Sequence, residues 1–193
     1  SRLQRVSEGV ITALVIPGQQ IRAFNVPLPS KKKAILQGLP FLIEEHLSTP
    51  IEQLHVASGN FTQEGIQAFA IPHEEMQYWV QLIDKSGLDI RYLTPDYQLI
   101  ANAPTSNVLW QEHSQVLIYS GQLQASVSQA TLSIIAPRLV ANTPEFTYAG
   151  LPENTPEGMQ YIPQTTSLTE QLAGNFSLKR PPVNLLQAQY QQQ

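Results

Sequence analysis

The chain has 193 residues, 42% hydrophobic and 13% charged, with no cysteine and a formal net charge of −4. That length supports one or two domains with a true core, and the lack of cysteine excludes disulfide frameworks, thiolate zinc sites, iron–sulfur clusters and thiol catalysis. The acidic balance, with Lys31, Lys32 and Lys33 as the dense basic cluster, lacks the electrostatic footprint of a nucleic-acid binder.

Residues 10–16 form an apolar, β-branched run closed by Pro17-Gly18, and 21–26 a second run, which predicts a strand, a turn and a strand. Pro27, Pro29 and Ser30 end the extended region, with Ser30 as expected N-cap of an amphipathic helix reaching Leu47. Its apolar positions are Ile35, Leu39, Leu42 and Ile43, with Leu36 and Leu47 beside them, and Pro40 predicts a kink. Two short strands, 54–58 and 65–71, then read as a hairpin. Met76, Trp79, Val80 and Ile83 mark a helical stripe ending at Gly87, a natural C′ residue, with Trp79 expected in the core. A strand over 88–93 follows, ending at Thr94-Pro95-Asp96, and strand–helix–strand is the pattern of a mixed α/β layer.

The polar stretch 101–106 is a candidate boundary. Beyond it, 116–119 and 123–127 predict a hairpin about Ser120-Gly121, preceded by an edge strand at 108–111 in which Trp110 is an edge or contact residue. A helix over 130–139, limited by Pro137, a strand at 146–149 and a loop over 152–163 follow. Ser167 and Glu170 stand at capping-box spacing for a short helix to about Leu172, and the chain ends in an extended segment over 183–190.

Chemistry-bearing motifs are sparse. Neither a Gly-rich phosphate loop nor a G-x-S-x-G nucleophile elbow occurs. His46, His55, His73 and His113 have carboxylates next to them in sequence but no metal-ligand spacing, so they read as solvated surface residues; no catalytic residue, cofactor or metal is expected. Glu74 and Glu75 fit the first turn of a helix, where they complement its dipole. Glu44 and Glu45 read either as an acidic contact surface or as ordinary solvated residues.

Several blocks, taken in order, resemble the cytoplasmic domain of the type II secretion system protein L family. They are Leu14-Val15-Ile16-Pro17-Gly18, Val26-Pro27-Leu28-Pro29, the stretch from Leu36 through Pro40 and Glu44-Glu45 to Leu47, Leu54-His55-Val56-Ala57-Ser58-Gly59, and the segment from Met76 to Asp96. The final block, Val183-Asn184-Leu185-Leu186-Gln187-Ala188-Gln189-Tyr190, is similar to the family's ending just before its membrane helix. The resemblance implies an α/β, actin-like fold with RNase H-like lobes. It divides the chain into a remnant of the first lobe (1–27), an inserted small subdomain (28–72), a return to the first lobe (73–100), and a second lobe with the membrane-proximal end (101–193).

The implied function is that of a non-enzymatic scaffold at the cytoplasmic face of the bacterial inner membrane, recruiting the secretion ATPase (protein E) through its N-terminal domain and pairing with protein M. It leaves room for a homodimer, with membrane attachment only through a helix outside this chain. The family's first strands are likewise expected outside it. Glu44, Glu45 and Glu52 are the expected ATPase-facing residues. The rival readings are a nucleotide-binding actin-like ATPase, whose phosphate turns would be Pro17-Gly18 and Ser120-Gly121, neither adjacent to an Asp, and a type IV pilus platform protein.

Overall fold

The computed structural model describes residues 5, 7, 9–27, 33–62, 65–101, 103, 105–121, 123–143 and 145–191, with the backbone alone over 33–35. The chain divides into two compact units, one of residues 1–16, 20–95 and 182–193, the other of 17–19 and 96–181. This cut differs from the expected division. The stretch 101–106 lies inside the second unit, because the chain enters that unit at Asp96.

The first unit holds two sheets. Strand β1 (Thr12–Ile16) pairs in parallel with β5 (Ile90–Pro95), from Thr12 opposite Ile90 to Ile16 opposite Pro95. The second run, β2 (Arg22–Pro27), does not fold back on β1 but joins β3 (Leu54–Phe61) and β4 (Gly65–Pro72) in an antiparallel sheet of order β2-β4-β3. The central place of β4 explains its near-continuous apolar run, since both of its faces are covered: Ile66, Ala68, Phe69, Ala70 and Ile71 are all buried. Gly65 is required where β4 starts, because a Cβ there would fall on the backbone of Val26 in β2.

The amphipathic helix expected to reach Leu47 is broken. Residues Lys33–Gly38 and Glu44–His46 are 3-10 turns around a short α1 (Leu39–Ile43). Pro40 sits in the first turn of α1, where its missing N–H costs nothing, so it starts a helix instead of kinking one. The expected cap Ser30, with Lys31 and Lys32, lies outside the described residues. Helix α2 (His73–Ser86) runs as read, with Glu74 and Glu75 in its first turn and Lys85 in its last, and stops at Gly87, whose φ of 64° is left-handed. It buries Met76 and Ile83, whereas Trp79 is only half-buried and stacks edge-on against exposed Tyr78.

The tail, expected with the second lobe, belongs to the first unit for a definite chemical reason. The Asn184 amide donates to the Arg91 carbonyl at 2.9 Å and accepts from the Leu93 amide at 3.1 Å, while Leu185 N–H donates to the Leu93 carbonyl at 2.8 Å. Three residues on, the Gln187 amide treats β3 the same way, accepting from Ser58 N–H at 3.1 Å and donating to the Ser58 carbonyl at 2.8 Å. Val183, Leu185 and Leu186 are buried behind these bonds.

The second unit is built on a five-stranded sheet of order β10-β9-β6-β7-β8: β6 (Val108–Glu112), β7 (Gln115–Tyr119), β8 (Gln124–Ser128), β9 (Thr147–Ala149) and β10 (Gln160–Tyr161). Strand β6 is therefore interior, not an edge, because β9 returns to pair with it in parallel, and Trp110 is buried. Strand β10 lies within the expected loop over 152–163. Helix α3 (Gln129–Asn142), N-capped by Ser128, lays Leu132 and Ala136 on Leu109, Val116, Ile118, Phe146 and Tyr148. Helix α4 (Leu168–Asn175) carries the expected Ser167–Glu170 capping box.

Replacing Asn184 by Ala removes both bonds to β5 and that to Leu186 N–H. We predict a loss of about 1–3 kcal/mol in urea unfolding, whereas an exposed amide such as Gln81 changes stability by less than about 0.5 kcal/mol.

Candidate functional site

The segment around α1 presents two opposite faces. Leu39 and Ile43 are buried against Val26, Ile66, Ala68 and Ala70. Leu42, read as one of the apolar positions of the amphipathic helix, is 46% exposed, and Phe41 beside it is 73% exposed. These residues all lie in α1, where Leu39 and Ile43, one turn apart, take the line that faces the sheet, and Leu42 and Phe41 lie to the side of it.

Glu44 and Glu45 follow directly and are exposed, with His46 Nε2 3.6 Å from a Glu45 carboxylate oxygen. Glu52 is exposed on the next 3-10 turn, Ile51–Gln53. The three predicted residues are thus solvent-facing, and the short α1 segment adds an exposed aromatic and an exposed aliphatic side chain next to the first two. Phe41 was not foreseen as part of this surface. Its signal was the apolar run Leu39-Pro40-Phe41-Leu42-Ile43, which has more apolar residues than one helix face can bury.

The Pro17-Gly18 turn, the candidate phosphate turn, is occupied by the protein itself. No Asp neighbours it in sequence, yet the Asp96 carboxylate reaches it in space and accepts from Gly18 N–H at 3.1 Å and from Tyr97 N–H at 2.8 Å. A Cβ on Gly18 would overlap the buried Tyr97 ring. The backbone donor a phosphate would need is already committed, and the ring fills the space beside it. Burial raises the Asp96 carboxyl to about 6, against the backbone bonds from Tyr97, Gly18 and its own amide that favour its charged form, and burial also pushes the Tyr97 phenol up.

His55 corrects a second expectation. Far from being a solvated surface residue it is 4% exposed, and its Nε2 donates to the Leu185 carbonyl at 2.8 Å. Among the described residues no group of three or more His, Cys, Asp or Glu side chains is placed to hold a metal ion. Among them, too, no helix is long and apolar enough to cross a membrane.

A family model described as type II secretion system (T2SS), protein L, matches residues 2–193. The chain belongs to the type II secretion system protein L family. The protein L of Pseudomonas aeruginosa is 30% identical to it over 113 residues, 58% of this chain and 29% of that protein. The protein L of Pectobacterium carotovorum subsp. carotovorum is 27% identical over 90 residues, 46% of this chain and 21% of that protein. The matches thus span less than a third of the length of these relatives. Among solved structures, the cytoplasmic domain of EpsL, an inner membrane component of the type II secretion system of Vibrio cholerae, superimposes with a TM-score of 0.78 at 18% identity, covering 98% of this chain and 83% of that one. That likeness shows the fold, the mixed α/β, actin-like architecture expected of protein L.

The Asp96 carboxyl generates a pH prediction. Its folded value lies above the ordinary 3.8, so its contribution to stability is full below pH 3.8 and is lost as pH rises through about 6. Asp96→Asn, which keeps an acceptor for Gly18 and Tyr97, is expected to match the wild type in acid and to exceed it in thermal stability at pH 7. A constant difference between the two across pH 3.5–7.5 would contradict this.

Proposed function

We propose that the chain is the cytoplasmic part of an inner-membrane protein L and works as a non-enzymatic scaffold. It recruits the secretion ATPase, protein E, through that protein's N-terminal domain, and it pairs with protein M at the platform, with residues 28–72 as the inserted small subdomain that carries the contact surface. The observation that carries the reading is the pairing on one short segment of exposed Phe41 and Leu42 with exposed Glu44 and Glu45, Glu52 being exposed on the next turn. An exposed aromatic anchor with a charged rim is the composition of a protein-binding surface: the ring supplies buried area on association, and the carboxylates steer a basic partner. Membership of the family supports the choice of another component of the secretion system as that partner.

The test is a binding titration of this chain against the N-terminal domain of the secretion ATPase of the same organism. Saturable binding is expected, weakened about tenfold or more by Phe41→Ala and slowed in association, in a salt-dependent way, by the paired charge reversal Glu44→Lys and Glu45→Lys. Absence of binding overturns recruitment by this chain. Binding that is untouched by all three substitutions overturns the placement.

A further inference from the structure

Two imidazoles lie beneath the tail. The Leu185 carbonyl can only accept, so His55 Nε2 carries the hydrogen in their 2.8 Å bond and Nδ1 is bare in the neutral ring. Tyr190 packs edge-on against His55, with centroids 5.0 Å apart, and its hydroxyl lies 2.7 Å from His73 Nδ1. The Gln189 amide nitrogen lies 3.3 Å from the same Nδ1, and the Tyr190 hydroxyl is also 3.5 Å from the His73 carbonyl, to which it can donate. The two imidazole centroids are 6.3 Å apart. The Leu185 bond needs only the Nε2 hydrogen, which both charge states of His55 carry; what disfavours the charged ring is its burial beneath the tail.

Among the described residues nothing pairs with them to neutralise an added charge. The titratable side chains in contact with His55 are His73, at the start of α2, and Tyr190, in the tail. Glu52 and Glu74, on elements packed against β3, are exposed, and Glu75 is half-buried. Among the described residues no carboxylate pairs with either imidazole.

We propose that residues 185–190 form a proton-operated latch: uptake of a proton at His55 frees them from the first unit and uncovers the β3 edge that Gln187 closes. Opening hydrates the ring and moves the Leu185 carbonyl and the Tyr190 ring away, while Ser58 loses both backbone partners and becomes available to another strand. Burial lowers the His55 value, the Leu185 bond opposes this, and the nearby His73 lowers it further. The closed form therefore favours the neutral ring. Closure is at full strength above the ordinary histidine value of 6.5 and weakens as pH falls below it.

The experiment is hydrogen exchange on the full chain from pH 8 to 5.5, corrected for intrinsic rates, read at the Leu185 and Gln187 amides, with Phe69 in β4 and Leu117 in β7 as references. Below about pH 6.5 the two latch amides are expected to lose protection progressively, with a slope that approaches and does not exceed about tenfold per pH unit, the limit for one coupled proton, while the references hold. In His55→Gln, which can still donate to Leu185, the slope is expected to vanish. A flat profile in the wild type, an unchanged slope in His55→Gln, or loss at Phe69 in step with the latch overturns the proposal. If His55→Gln does not fold, the wild type still decides: the His55 ring titration followed by NMR and the latch opening share one midpoint, and separate midpoints overturn it.

Discussion

The first unit depends on a peptide group being imitated by a side chain. A sheet edge leaves backbone donors and acceptors that must be satisfied once they are covered. An Asn or Gln amide carries the same donor and acceptor as a peptide, so one side chain can close one residue of an edge without a further strand. Asn184 does this on β5 and Gln187 on β3, and the two residues that separate them in sequence join two sheets that share no ladder. The burial of Leu185 and Leu186 follows from that closure, as does the sheltered position of His55.

The same device recurs in the second unit. Gln164 donates to the carbonyls of Gln111 and Ala149, Gln171 and Asn175 tie α4 to the carbonyls of Ile100 and Leu99, Gln111 accepts from the buried Tyr148 hydroxyl, and Gln98 donates to Gln124. A chain with 13% charged residues thus uses its amides as internal ties, and its Arg91–Asp89 ion pair stands exposed, where such pairs contribute little. Several of the chain's glutamines are therefore structural.

What was legible in the sequence was local. The β3–β4 hairpin, the stop of α2 at Gly87 and the capping box of α4 are each set by residues within a few positions of one another. What was not legible is set by distant pairing: β1 lies beside β5 and not β2, β9 returns to place β6 inside its sheet, and the tail joins the first unit through contacts more than ninety positions away. Periodicity carries no information on such partners. On the candidate surface, Glu44, Glu45 and Glu52 could be picked out by charge, but the exposure of Leu42 and Phe41 depended on which of five consecutive apolar residues the sheet covers. His55 was misread for the same reason, since its partner is 130 positions away.

The turn at Gly18 has a consequence for synthesis on the ribosome. Its amide waits for Asp96, 78 positions later, so at ordinary elongation rates of about 5–20 residues per second the bond can close only about 4–16 s after Gly18 is made. The first unit waits longer still, because Asn184 and Gln187 come 88 and 91 positions after Asp96. During that interval β3 and β5 have unclosed edges, a period in which a nascent chain is open to mispairing. Each unit is completed by a segment from the other's side of the sequence, and no single cut in the chain yields either one whole.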